Sequence, residues 1–400
     1  MTPLSGIRVI ELAHIMAGPV CGLMLGDMGA DVVKVERLPG GDGTRAFLPP
    51  DVRGEAAAFM MLNRGKRGMA LDLRSDEGLS LVRRLVSSAD VVIENFRAGT
   101  MERMGLGYEE LSTLNPRLVY CQITGYGRTG PLAHQGGFDL IAQGYSGLMS
   151  VTGEGPGRAP VKVGAPVTDI TAGILAAFGV VSALFERERS GKGQRVDTSL
   201  YEAGITQTYW QSAIAFATGA SPGPLGSAHP LSAPYQTFPT IEGWINVGAS
   251  NEATWTGLTE ALNAPELRLD ERFRTNARRI ANLDELVGVL APHFLKRSTD
   301  SWLEGLEDAG VPAGPVASVG EMLEHAQTHA RDMVIEVEHA KAGTVRSLGT
   351  PVKMSASTLE SGAEKRPGAP TLGQHTREVL LEAGLRDVEV DRLMAAGVVR

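Results

Sequence analysis

Within this 400-residue chain, Asp169 stands where the extended apolar stretch Val161–Val167 gives way to helical spacing over Ile170–Arg187. A carboxylate in the first turn of a helix is kept ionised by the dipole and the free N–H groups. Those donors also suit a nearby oxyanion. An ionised, partly desolvated Asp in such a place can attack an acyl carbon. The same position equally suits a helix N-cap, for which Asp is a preferred residue. Position alone leaves both readings open.

A second set of residues carries positive charge. Lys34 and Arg37 flank the end of the second strand-like run, and Arg64, Lys66 and Arg67 precede the third. Arg74 follows the third, and Arg97 and Arg103 follow the fourth. Strand ends in a parallel sheet lie side by side, so several of these should converge. In a chain of net charge −8 they would make a local anion site suited to a phosphorylated nucleotide. Taken singly, each also fits a solvated surface charge.

The elements that would position these groups are legible from periodicity. Ile7–Leu12, Asp31–Glu36, Met69–Leu73, Asp90–Glu94, Leu118–Ile123 and Arg195–Leu200 read as strands. Gly22–Met28, Asp76–Ser87 and Tyr108–Leu114 read as helices between them. This alternation predicts an α/β fold, a doubly wound parallel sheet, with ligands at the carboxyl ends of the strands. The turn after the first strand, His14-Ile15-Met16-Ala17-Gly18-Pro19, is followed by a second strand ending in Glu36, as in dinucleotide-binding units. It holds one glycine where that motif needs three, and Pro19 lacks a backbone donor, so a plain helix start fits as well. His14 is the one histidine placed to face the ligand edge.

After the Gly/Pro/Ser-rich stretch Gly219–Pro234 the pattern changes to a hairpin, Tyr235–Pro239 with Trp244–Val247, and then to several helices. The expected division is a large domain over 1–220, a smaller α+β domain over 221–330, and a return to the large domain over 331–400. No run of five Lys/Arg suggests nucleic-acid binding, and no segment has ~18 uninterrupted apolar residues. Met1-Thr2-Pro3-Leu4 has no signal-peptide character, so a cytoplasmic location is expected. Cys21 and Cys121 read as small core residues. His325 and His329 have i, i+4 spacing without a general base or third ligand, so no metal site is expected. G-x-S-x-G and Walker patterns are absent from the sequence.

Beyond these elements, a series of segments resembles the family III CoA-transferases of the formyl-CoA transferase and carnitine CoA-transferase type. They are Leu4–Val9, Ala17-Gly18-Pro19, Leu25–Glu36, Gly41–Arg45, Asn63–Arg67, Glu94-Asn95-Phe96-Arg97, Gly125-Tyr126-Gly127, Asp139–Gly147, the Asp169 segment, Gly310–Val316 and Leu372–Thr376, in family order. The resemblance implies that Asp169 is the catalytic carboxylate, working through aspartyl anhydride and aspartyl-CoA thioester intermediates. It implies CoA contacts at Met16, Ala17, Arg37, Leu71, Asp72, Leu73, Arg74, Asn95, Phe96, Arg97, Arg103, Gly136, Gly137, Phe138 and Asp139, beside His14. It also implies acyl-CoA and small carboxylic acid substrates, coenzyme A thioesters with no permanent cofactor, and an interlocked homodimer. The glycine-rich loop of the oxalate-specific branch is replaced by Ser227–Tyr235. There the Ala228-His229…Pro234-Tyr235-Gln236 pattern is closer to the succinyl-CoA:dicarboxylate branch. The α-methylacyl-CoA racemases share the fold and are the alternative, although Phe138 occupies their histidine position and leaves His134 or His14 as substitutes.

Overall fold

A computed structural model describes residues 2–357 and 366–400. Six strands form one sheet: β1 (Arg8–Glu11), β2 (Asp31–Arg37), β3 (Arg67–Leu71), β4 (Val91–Glu94), β5 (Val119–Thr124) and β6 (Arg195–Ser199). Their order is β3-β2-β1-β4-β5-β6, and every pairing is parallel. The winding therefore reverses between β1 and β4, and the loops leaving these neighbours diverge to open a crevice at their carboxyl ends.

Period-two alternation sends strand residues to two cores, one on each face of the sheet. Val9, Val32, Val91, Ile93 and Cys121 pack under α1 (Ala17–Asp27). Ile10, Val33, Met69, Val92 and Tyr120 pack under α2 (Asp76–Val86) and the C-terminal residues Leu380, Val390 and Leu393. The chain end returns to the sheet, where Arg400 N–H donates to Ala70 O. Both cysteines are buried and unpaired as disulfides.

Two more helices complete the face over α1. The short α3 (Asp139–Tyr145) is followed by the 24-residue α4 (Val167–Ser190). Ala172, Ala176, Val180 and Leu184 bury one face of α4 in the core. A Cβ at Gly173 would lie 2.6 Å from the Ala17 carbonyl, so glycine permits the close crossing of α4 over α1. The opposite face carries Ile174, Phe178, Val181 and Phe185 at exposures of 45, 72, 43 and 64%. By length and composition α4 is apolar enough to cross a membrane, yet one of its faces packs on a sheet in the manner of a core helix.

The chain divides into two units at places other than those expected. One comprises the residues up to Ser146, Gly164–Gln207 and Ala326–Arg400; the other comprises Gly147–Val163 and Thr208–His325. The break falls between the helices Leu200–Thr206 and Tyr209–Thr218, not in Gly219–Pro234. That stretch is internal to its unit, where Gly226 N–H donates to Gly153 O. The second unit has a three-stranded antiparallel sheet, Tyr235–Pro239, Trp244–Gly248 and Ala313–Pro315, with Phe238 stacked on Phe294 at 4.6 Å.

Candidate active site

The crevice is built from two tied loops. After β1, His14 N–H donates to Asn95 Oδ1 at 2.9 Å, and Asn95 Nδ2 donates back to His14 O at 2.7 Å. The His14 ring leans on Phe96 with centroids 5.3 Å apart. Burial lowers the His14 pKa, favouring the neutral imidazole. Ile15 has φ +67°, a left-handed conformation that costs a β-branched residue about 1–3 kcal/mol. Its N–H is held by Asp42 Oδ1 at 3.1 Å. At Gly18 a Cβ would lie 2.1 Å from the Ala13 Cβ, so α1 can begin directly against this loop.

Beneath the loop lies a buried set of charges. Lys34 Nζ contacts Glu11 Oε1 at 3.0 Å, Asp42 Oδ2 at 2.9 Å and Ala13 O at 2.9 Å. Lys66 Nζ contacts Glu11 Oε2 at 2.8 Å, and donates to Asn63 Oδ1 and Pro19 O. Two ammoniums thus balance two carboxylates. Burial works against both charges of the Lys34–Asp42 pair, but Glu11 and Asp42 hold Lys34 above its ordinary range. Lys34 and the Thr44 and Ile15 amides hold Asp42 well below the carboxylate range.

Lys34 and Lys66 are consequently not available to an anion, contrary to the convergence expected from their positions. Arg64 is paired with Asp27, and Arg67 with Asp31, Glu378 and Glu382 near the amino ends of β2 and β3. The guanidiniums left near the carboxyl edge are Arg37, Arg74, Arg97 and Arg103. Arg74 shares an exposed pair with Asp72, and Arg103 is bonded to Thr100 Oγ1 at 3.0 Å.

Three adjoining cavities follow this edge. The first, of about 390 Å³, is lined by His14, Ile15, Met16, Ala17, Asn95, Phe96, Arg97, Gly136, Gly137, Phe138 and Asp169. The second, of about 410 Å³, shares His14, Phe96 and Phe138 and adds Arg37 and Leu73. The third, of about 500 Å³, adds Asp72, Arg74 and Met104 to Arg37, Leu73 and Phe96, and shares Thr100 with the first. Most of the expected contact residues therefore share one trough. Leu71 does not: its side chain is wholly in the core. Arg103 reaches the trough only through Thr100.

Asp169 is the third residue of α4, not its cap. The N-cap is Pro166, and the capping acceptor comes from the neighbouring helix. Asp139 Oδ1 accepts from Thr168 N–H at 3.0 Å and Thr168 Oγ1 at 2.7 Å, and Oδ2 accepts from Gln143 at 2.8 Å. Asp139, expected as a ligand contact, is thus occupied as a helix cap, and it does not line the trough. The carboxylate of Asp169 has no hydrogen bond or ion pair among the described residues. Burial, reinforced by the charge of Asp139, pushes its pKa up to about 7. Across the cavity, Gly125 and Gly137 bring two backbones together, since a Cβ at Gly137 would meet the Gly125 Cα at 2.5 Å.

Sequence reasoning did not find Ile15 and Asp42, which meet through a contact distant in sequence, or Thr100, which lines the trough beside Phe96. His325 is extended at the break between Val319–Glu324 and Ala326–Ala330, so the two histidines are not spaced along one helix. Among the described residues, no group of three His, Cys, Asp or Glu side chains could hold a metal.

A doubly wound α/β enzyme with an unengaged carboxylate at the head of a helix, facing a cation-edged trough, is the class this geometry defines. The sequence matches CoA-transferase family III over residues 4–376, and the chain belongs to that family. It is a CoA-transferase. It is similar to the succinate–glutarate CoA-transferase of Agrobacterium fabrum, at 43% identity over 95% of each chain. The succinyl-CoA:glutarate CoA-transferase of Mus musculus is 37% identical over 100% of this chain and 91% of its own. A CAIB/BAIF family protein from Brucella suis superposes with TM-score 0.83 at 41% identity, covering 96% of this chain and 99% of that one.

Proposed function

We propose that this enzyme moves CoA from succinyl-CoA to a small dicarboxylic acid of the glutarate type, with Asp169 as the covalent carrier. The unengaged carboxylate at the trough carries this reading, and the activities named for the relatives support the substrates. Asp169 attacks the thioester carbon and CoA leaves as thiolate, forming a mixed anhydride. The thiolate then attacks the Asp169 carbonyl, releasing succinate and leaving an aspartyl-CoA thioester. The acceptor carboxylate displaces CoA to form a second anhydride. Finally CoA attacks the new acyl carbon, which regenerates the carboxylate. Covalent catalysis divides one difficult exchange into easier steps. Arg37, Arg74 and Arg97 are the proposed phosphate partners, since guanidinium forks suit phosphate oxygens.

A mass-spectrometric assay with succinyl-CoA and a panel of mono- and dicarboxylic acids tests the reading. New dicarboxyl-CoA thioesters are expected, and succinyl-CoA loss by hydrolysis alone would contradict it. Phe138 offers no proton acceptor, so α-carbon racemisation would fall to the neutral His14 imidazole in the same cavity; solvent deuterium entering the α-carbon without an acceptor acid would favour that alternative.

The nucleophile must be ionised, and its pKa sits near 7. The rate of the first acyl transfer should therefore rise about tenfold per pH unit below 6 and level off above 7. Presteady-state release of CoA measured from pH 5 to 8 checks this. A flat profile would assign the attack to another group.

We also propose a homodimer that covers the outward stripe of α4. Phe178→Glu combined with Phe185→Glu is expected to yield monomers or aggregates in light scattering, and an unchanged dimer would place the interface elsewhere.

A further inference from the structure

Glu94 ends β4 one residue before the Asn95–Arg97 segment of the Asp169 cavity, and nothing in the reaction above uses it. The side chain is 1% exposed. Its Oε2 accepts the Phe96 N–H at 2.8 Å, while Oε1 is fully buried without a hydrogen-bond partner among the described residues.

The groups around it are also mostly unhelpful to a charge. Gln122 lies opposite in register on β5 and Tyr120 comes from the same strand, Glu102 from the Thr100–Arg103 helix and Asp197 from β6. Gln122 and the Phe96 amide favour the ionised form, but Glu102 and Asp197 oppose it. Arg128 and Arg195 stand against Tyr120 and Asp197. No ion pair to Glu94 exists among the described residues. Burial pushes its pKa up to about 8.

We propose that Glu94 is a positioning residue: uncharged, it holds Asn95–Arg97 against bound acyl-CoA, and on losing its proton to solvent it draws that segment away, giving the site an alkaline limit. The physical cause is that a buried carboxylate with one oxygen unpartnered is costly, and Glu94 cannot turn toward water without moving the Phe96 N–H that its other oxygen holds. Phe96 lines all three cavities and its N–H is bonded to Glu94, so a shift at Glu94 reaches the whole trough.

This inference rests on the reading that the trough takes acyl-CoA, so the test measures binding in the absence of turnover. Acetyl-CoA is titrated calorimetrically into Asp169→Ala and into Asp169→Ala combined with Glu94→Gln, at pH 6.5, 7.5, 8.5 and 9.5. Ligand titrations and that of Asp169 then cancel or drop out. In the first protein the affinity should fall about tenfold between pH 8.5 and 9.5, as one titrating group requires. In the second it should change less than twofold. Equal falls in both, or no fall in either, would overturn the proposal. Absence of binding at every pH would overturn the site assignment and the inference with it. As a second measurement, Glu94→Gln alone should unfold no lower than the parent at pH 8.5, because an amide meets the same uncharged requirement. A lower midpoint would contradict that requirement.

Discussion

Asp169→Ala is expected to lower CoA transfer by about 10⁴-fold or more, the scale seen when a covalent nucleophile is removed. Among the described residues no neighbour can take over: Asp139 is engaged by Thr168 and Gln143, and Glu94 is buried beneath the segment that lines the cavity. Acyl-CoA binding should persist, because the guanidiniums and the Asn95–Arg97 segment are untouched. Turnover measured by mass spectrometry, set beside acyl-CoA binding, separates the two effects.

The same position carries a stability prediction with a defined sign. The folded pKa of Asp169, about 7, lies above its unfolded value near 4. The fold therefore favours the protonated acid. That contribution is complete below about pH 4 and is lost as pH rises to about 7. Asp169→Asn, which removes the charge and keeps the shape, should be close to neutral at pH 4 and stabilising by about 1–3 kcal/mol at pH 8. Denaturant unfolding at the two pH values measures the difference. A nucleophile that weakens its own fold is a common feature of active sites.

The largest stability loss should come from Lys34→Met. This side chain is wholly buried and touches Glu11, Asp42 and the Ala13 carbonyl. Removing one partner of a buried ion pair leaves an uncompensated charge and costs about 3–5 kcal/mol. Asp42 also holds the Ile15 N–H, so the left-handed turn at the cavity should loosen together with the network. Urea unfolding should show the loss. The KM for acyl-CoA should rise more than kcat falls, since the damage reaches the binding loop and not Asp169. A loss below about 1 kcal/mol would mean the remaining charges regroup without Lys34.

Local pattern carried the sheet: the alternation that sends Val9 and Ile10 to opposite cores is visible in the sequence, and so are the crossover helices. Element ends were less legible. The third strand runs Arg67–Leu71, ending before expected, because the turn after it serves Ser75, which caps α2. The helical run from Phe138 breaks at Gly147, where φ is +81°. Charges could be read, but not their partners. Lys34, Arg64, Lys66 and Arg67 meet carboxylates on other elements, and no local spacing reveals that Asp27, Asp31, Glu11 or Asp42 will be near. Asp169 is the instructive case, since cap and nucleophile look alike in sequence. The fold, by bringing Asp139 to the Thr168 amide, removes the cap role from Asp169, and the nucleophile role is the proposal that remains.

The covalent role of Asp169 is tested most directly by mixing the enzyme with succinyl-CoA alone, reducing with borohydride and mapping the peptides. A reduced side chain is expected at Asp169, formed only when the thioester is added and absent from Asp169→Asn. Reduction at a different carboxylate, or none in an enzyme that transfers CoA at full rate, would contradict it.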